Sequence, residues 1–157
     1  MIFAGKEIPP GTGHTEGRRL LTTLYRQHWN TAMPPILVTY RGKPYFKQGP
    51  YFSITHTHHH VFCALSDRSV GIDAEELDRD IDLRLADKIL SPGELEQYRN
   101  SQDPRVALLT FWVLKEAQAK CSGEGLRGYP KNTDFSLADP RVTVQQGCLV
   151  AIIEEEL

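Results

Sequence analysis

The stretch "SVGIDAEE", residues 69–76, decides how this chain is read. It is short, apolar and β-like, yet it carries two acids, Asp73 and Glu75, just as it ends. Side chains alternate faces along a strand, so Asp73 and Glu75 point one way while Ile72 and Ala74 point the other. Two carboxylates side by side repel unless one takes up a proton or a cation sits between them, and a hard divalent ion with oxygen ligands is the usual cation. The plainer reading is a solvated strand end that runs into the acidic loop "EELDRD".

Upstream, "EIPPGTG" reads as a loop from its prolines and glycines. Leu20, Leu21, Leu24 and Trp29 then recur at near-helical spacing and predict a helix over about residues 15–28. "PILVTYRGKPYF" reads as a strand, a turn at Arg41 and Gly42, and an extended exit set by Pro44. "YFSIT" and "HVFCALS" flank a run of histidines as a strand pair, and "SVGIDAE" follows as the next strand.

Downstream the pattern turns helical. "LRLADKIL" is a short amphipathic segment. In "SPGELEQY", Ser91 caps, Pro92 takes the first helical position and Glu94 completes a capping box. Asp103 and Pro104 open a longer helix that Gly123 closes. Leu108, Trp112, Glu116 and Lys120 lie along one face of it. The tail reads as a strand pair turned at residues 145–147. These elements predict an α+β fold, with helices packed on antiparallel sheet.

The 157 residues suffice for a sizeable core. A net charge of −2 argues against a nucleic-acid binder driven by bulk electrostatics. No apolar run is long enough to span a bilayer, and the opening residues lack a signal-peptide pattern, so a cytoplasmic protein is expected. Cys63, Cys121 and Cys148 are an odd number at wide spacing, which fits neither a disulfide framework nor a paired zinc motif, and they read as reduced packing residues. His56, His58 and His60 of "HTHHH" would share a strand face and invite a zinc reading, but no nearby cysteine pair supplies a fourth ligand.

"FWVLKEAQAK", residues 111–120, taken alone is a helix with an ordinary Glu116–Lys120 surface pair. Together with "GIDAE" it resembles the 4'-phosphopantetheinyl transferases, whose signatures are a G-[IV]-D-x-E strand and a W-[ST]-x-K-E-[AS]-x-x-K helix. "GKPYF", "FSITH", "LSPGELEQY" and "GEGL" sit in the family's order, so the resemblance runs from about Arg18 to about Leu126. About seventy residues precede "GIDAE", which resembles the two-half, surfactin-synthetase-activating branch in a shortened form.

The resemblance implies a monomer of two α+β halves in a pseudo-twofold arrangement, with the site in the cleft between them. Residues 1–69 would form the half that contacts coenzyme A phosphates, and residues 70–157 the half with the metal site and catalytic helix. It implies transfer of the phosphopantetheine arm of coenzyme A to a serine of an apo acyl or peptidyl carrier protein. Asp73, Glu75 and Glu116 would supply oxygen ligands to Mg2+, with Glu116 also a candidate base for the serine proton. Lys120 would reach the phosphates. Lys43 and His56 match positions that hold coenzyme A phosphates, and Arg18 aligns with a nucleotide-contacting arginine. Lys115 matches a further contact, although helix geometry turns it roughly 100° from Glu116.

Ser53 stands where the family usually has Asn, Thr55 where it has Ser, and Ala74 where it has a larger aliphatic residue. Two rivals stay open at this point. One is an inactive coenzyme A or nucleotide-binding partner of a synthase; the other is a metal-dependent phosphohydrolase.

Overall fold

A computed structural model describes residues 1–125, 131 and 133–157, which leaves Leu126, the end of the "GEGL" match, outside the described residues. The fold is α+β, with antiparallel sheets and four α-helices among those residues.

The first sheet has the order β1-β5-β4, formed by β1 (Ile2–Glu7), β4 (Tyr51–His56) and β5 (His60–Ser66). Helix α1 (Gly13–His28) packs on it through Leu20, Leu21, Leu24 and Tyr25. β2 (Ile36–Val38) and β3 (Pro44–Phe46) form a separate hairpin whose turn contains Gly42 at φ 88°, a left-handed conformation that suits glycine. The second sheet has the order β6-β8-β7, from β6 (Val70–Glu76), β7 (Val142–Gln145) and β8 (Cys148–Glu154).

Both sheets are built alike: a first strand, an intervening helix, then two strands of which the last lies in the middle. Between β6 and β7 come a single 3-10 turn (Leu83–Leu85), α2 (Ala86–Ile89), α3 (Pro92–Arg99) and α4 (Pro104–Ser122). The capping box of α3 forms as the sequence predicts: the Ser91 hydroxyl accepts from the Glu94 amide, and the Glu94 carboxylate accepts from the Ser91 amide. α4 starts at the Asp103 cap and stops at Gly123, which has φ 75°.

Strand alternation explains how the two sheets join. On β5, Val61, Cys63 and Leu65 face α1, while Phe62 and Ala64 face the other way. There they meet Val70, Ile72 and Ala74 of β6 and Cys148 and Val150 of β8. The opposite face of the second sheet, with Leu149, Ala151 and Ile153, packs on α4. The layers therefore run helix, sheet, sheet, helix, and the central apolar seam joins the two sheets. At its rim Gln146 donates to the Gly5 carbonyl at 3.0 Å, and the Glu76 carboxylate accepts from the Thr57 hydroxyl at 3.1 Å and the His59 amide at 3.0 Å.

β1 is an element the sequence reading leaves unassigned. Its six residues show weak alternation, and Gly5 interrupts it because the Phe62 ring lies where a Cβ would project. The three cysteines are free and buried, and no described helix is long and apolar enough to cross a membrane.

Candidate functional site

The geometry of the junction begins with a missing side chain. At Gly71, a Cβ would collide with the carbonyl oxygen of Ala117, so only glycine lets β6 lie directly against the backbone of α4. That contact brings the end of α4 to the free edge of β6. There the Lys120 ammonium donates to the Ile72 carbonyl at 2.9 Å and to Asp73 Oδ1 at 3.2 Å. From the other sheet, Ser53 and Thr55 project off β4 on the same face. Ser53 Oγ accepts the Ile72 amide at 3.0 Å, and the Thr55 hydroxyl donates to Asp73 Oδ1 at 3.3 Å.

In front of this edge lies a cavity of about 250 Å³, between the β2–β3 turn, β4 and the last turns of α4. Arg41, Lys43, Ser53, Glu116 and Lys120 line it. The hairpin is tied to the helix end by its cations: Lys43 donates to the Lys120 carbonyl, and Arg41 donates to the Glu124 carbonyl at 2.6 Å. Lys43 thereby satisfies a carbonyl that the end of the helix leaves without a partner, and Arg41 meets the chain just past the Gly123 cap.

The acids behind the cavity repel one another. Burial pushes the Asp73 carboxyl up to about 7; Glu116 and Glu75 add to the rise, and Lys120 opposes it. Burial likewise raises Glu116 above the usual carboxylate range, with Lys120 opposing and Glu75 reinforcing. Burial lowers the Lys43 ammonium from its ordinary value. Among the described residues, Asp73 Oδ2 is buried and finds no hydrogen-bond partner.

A magnesium ion fits this donor set. Asp73, Glu75 and Glu116 would offer hard oxygen ligands to such an ion, and Asp73 Oδ2, without a hydrogen-bond partner among the described residues, is a buried oxygen that a cation would satisfy. As they stand, the side chains are not gathered to ligating distance: among the described residues no group of three His, Cys, Asp or Glu is close enough to hold a metal. Glu75 instead pairs with Arg79, and Asp73 with Lys120.

The structure thus brings Lys43, Glu116 and Lys120 to one cavity, with Asp73 directly behind Lys120. Three other residues lie elsewhere. His56 is exposed on the opposite face of β4 from Thr55, against Gly13 at the start of α1. Arg18 lies on α1 in a separate basic groove with Arg19 and Arg26 of the same helix and Lys6 of β1. Lys115 requires a correction. Its side chain is 1% exposed and pairs at 2.7 Å with the fully buried Glu94, and it also donates to the Thr133 hydroxyl at 3.0 Å. It does not line the cavity, because one residue's rotation about the helix turns it into the core.

Sequence reasoning passed over the contributions of Gly71, Thr55, Arg41 and Arg79. Gly71 had a visible signal, a glycine inside a strand pattern, which marks a close backbone approach. Contacts that cross from one sheet to the other leave no local spacing to read.

An α+β protein of two facing sheets, with an acid- and lysine-bearing cleft at their junction, is the class that fold and site define. The chain belongs to the 4'-phosphopantetheinyl transferase superfamily, whose family model matches residues 69–154, more than half of the chain. The chain is similar to the 4'-phosphopantetheinyl transferase psf-1 of Bacillus pumilus, 35% identical over 89 residues, which are 54% of this chain and 38% of that one. The 4'-phosphopantetheinyl transferase gsp of Aneurinibacillus migulanus is 31% identical over 87 residues, 54% of this chain and 36% of that one. A 4'-phosphopantetheinyl transferase of Bacillus subtilis is 29% identical over 89 residues, 39% of its length. The chain thus covers well under two thirds of the length of each of these relatives.

Proposed function

We propose that this protein transfers the 4'-phosphopantetheine arm of coenzyme A to a serine of an apo acyl or peptidyl carrier protein, with magnesium, in the cytoplasm. Carriers of fatty acid, polyketide or nonribosomal peptide synthesis are the intended acceptors. The observation that supports this best is the junction cavity itself, where Lys43, Lys120 and Glu116 surround a space backed by a buried aspartate with one unpartnered oxygen. Cations beside carboxylates suit a phosphorylated ligand that arrives with a divalent ion.

In this reading Asp73, Glu75 and Glu116 hold magnesium, which when bound neutralises charge on the pyrophosphate. Glu75 leaves Arg79 to do so. The ammonium groups of Lys43 and Lys120 bind phosphate oxygens and stabilise the departing adenosine 3',5'-bisphosphate. The serine oxygen forms a bond to the β-phosphorus as the bond from that phosphorus to the bridging oxygen breaks. The serine proton passes to Glu116 as general base. His56 and Arg18 serve coenzyme A from the first half, outside the cavity. We further propose that residues 1–69 and 70–157 act as two pseudo-twofold-related halves of one monomer, which the like order of strands in the two sheets supports.

The test is coenzyme A plus an apo carrier in magnesium. Asp73→Ala and Glu116→Ala are expected to keep the fold, seen by circular dichroism, and to lose transfer. Wild-type turnover in either variant, or undiminished activity in excess chelator, contradicts the reading.

A further inference from the structure

β6 is an edge strand of its sheet, so the outward amide and carbonyl of Ile72 lack a strand partner. Side chains take that partner's place. Ser53 Oγ accepts the amide at 3.0 Å and the Lys120 ammonium donates to the carbonyl at 2.9 Å. Two residues along β4 from Ser53, the Thr55 hydroxyl reaches the next residue of β6 and donates to Asp73 Oδ1 at 3.3 Å. Thr55 is 6% exposed and Asp73 7%, so water does not substitute for this contact. With Thr55 and Lys120 both on Oδ1, the other oxygen, Oδ2, is left buried and without a partner among the described residues.

We propose that Thr55 is a positioning residue for the metal site, in which a hydroxyl from the first half holds the Asp73 carboxylate so that Oδ2 alone is presented to the cation. The inference rests on the magnesium reading above and deepens it. A hydroxyl has one proton to donate, and Thr55 gives it to Oδ1; that fixes the rotation of the carboxylate about its Cβ–Cγ bond. Hydrogen bonds of this kind to a ligating carboxylate typically govern about 10–100-fold in metal affinity. Thr55 also lies on the same strand face as Ser53, so the two hydroxyls grip successive residues of β6 and tie the placement of Asp73 to the docking of the two sheets.

The experiment titrates the metal-free 157-residue chain with magnesium chloride by calorimetry, with coenzyme A present and absent, and records the thermal midpoint of each metal-free variant. Thr55→Val keeps the side-chain volume and removes the hydroxyl, and should weaken magnesium about tenfold or more. Thr55→Ser keeps the hydroxyl and should stay within about threefold of wild type, a rescue that a purely structural role for the threonine methyl would not produce. Thr55→Ala replaces Thr55→Val should the valine variant not fold. Wild-type affinity in Thr55→Val, or an equal loss in Thr55→Ser, overturns the proposal while leaving the magnesium reading in place. A wild-type protein that binds no magnesium in either arm overturns that reading, and the proposal with it.

Discussion

Asp73 is held at the meeting point of three elements, and its surroundings set what it can do. Burial raises its carboxyl to about 7, whereas an unfolded aspartate titrates near about 4. Between those values the folded, metal-free chain binds more protons than the unfolded one, so its stability should fall as pH rises through that window. Thermal midpoints of the metal-free protein between about pH 5 and about pH 8 should therefore decline more steeply in wild type than in Asp73→Asn, and equal slopes would contradict a raised Asp73. Lys115 makes a separate case. Lys115→Met strands the Glu94 charge in the core and should cost about 3–5 kcal/mol in urea unfolding, the penalty for breaking a buried ion pair by removing one partner. A loss under about 1 kcal/mol would show that the pair is dispensable. The sequence reading placed Lys115 beside coenzyme A from its motif position alone, although the helical period already turned it away from Glu116 and Lys120.

At the level of elements, the contact between β6 and α4 controls the site. Gly71→Ala would press a methyl group into the Ala117 carbonyl, and backbone there cannot move aside as a side chain tip would. The variant should lose about 1–3 kcal/mol through overpacking and lose magnesium-dependent activity as Lys120 shifts from Ile72 and Asp73. Full stability and activity would mean that the strand and helix are not locked as described. These two elements were readable in advance because each carries its own signals. The alternation in "GIDAE" separates Asp73 from Ile72, and Asp103, Pro104 and Gly123 bound the helix. β1 was not readable, since its edge position and central glycine leave little periodicity. His56 is read from its place in "FSITH" as a contact for coenzyme A phosphate, and the alternation of β4 sets it on the α1 face, opposite Thr55. Pairing between the sheets depends on side chains far apart in sequence, so the contact of Thr55 with Asp73 became visible only in three dimensions.

For the whole molecule, the central claim is a cleft that one chain completes by itself. Lys43 comes from the hairpin before β4, and Glu116 and Lys120 from the helix after β6, so the cavity draws on chain from both sides of β6. Sedimentation should therefore show activity that does not fall with dilution; activity lost in step with dissociation of an oligomer would contradict the self-contained cleft. Exposed Val38, Tyr40 and Tyr45 of the hairpin are the apolar surface that such an oligomer would cover. The most direct measurement is intact mass spectrometry of several apo carrier proteins after incubation with this chain, magnesium and coenzyme A. The account predicts that at least one carrier gains the mass of a single phosphopantetheine arm on its serine, that the gain disappears with Asp73→Ala, and that adenosine 3',5'-bisphosphate appears in equal amount. Carriers that stay unmodified while coenzyme A is bound, or while it is hydrolysed without them, would contradict it.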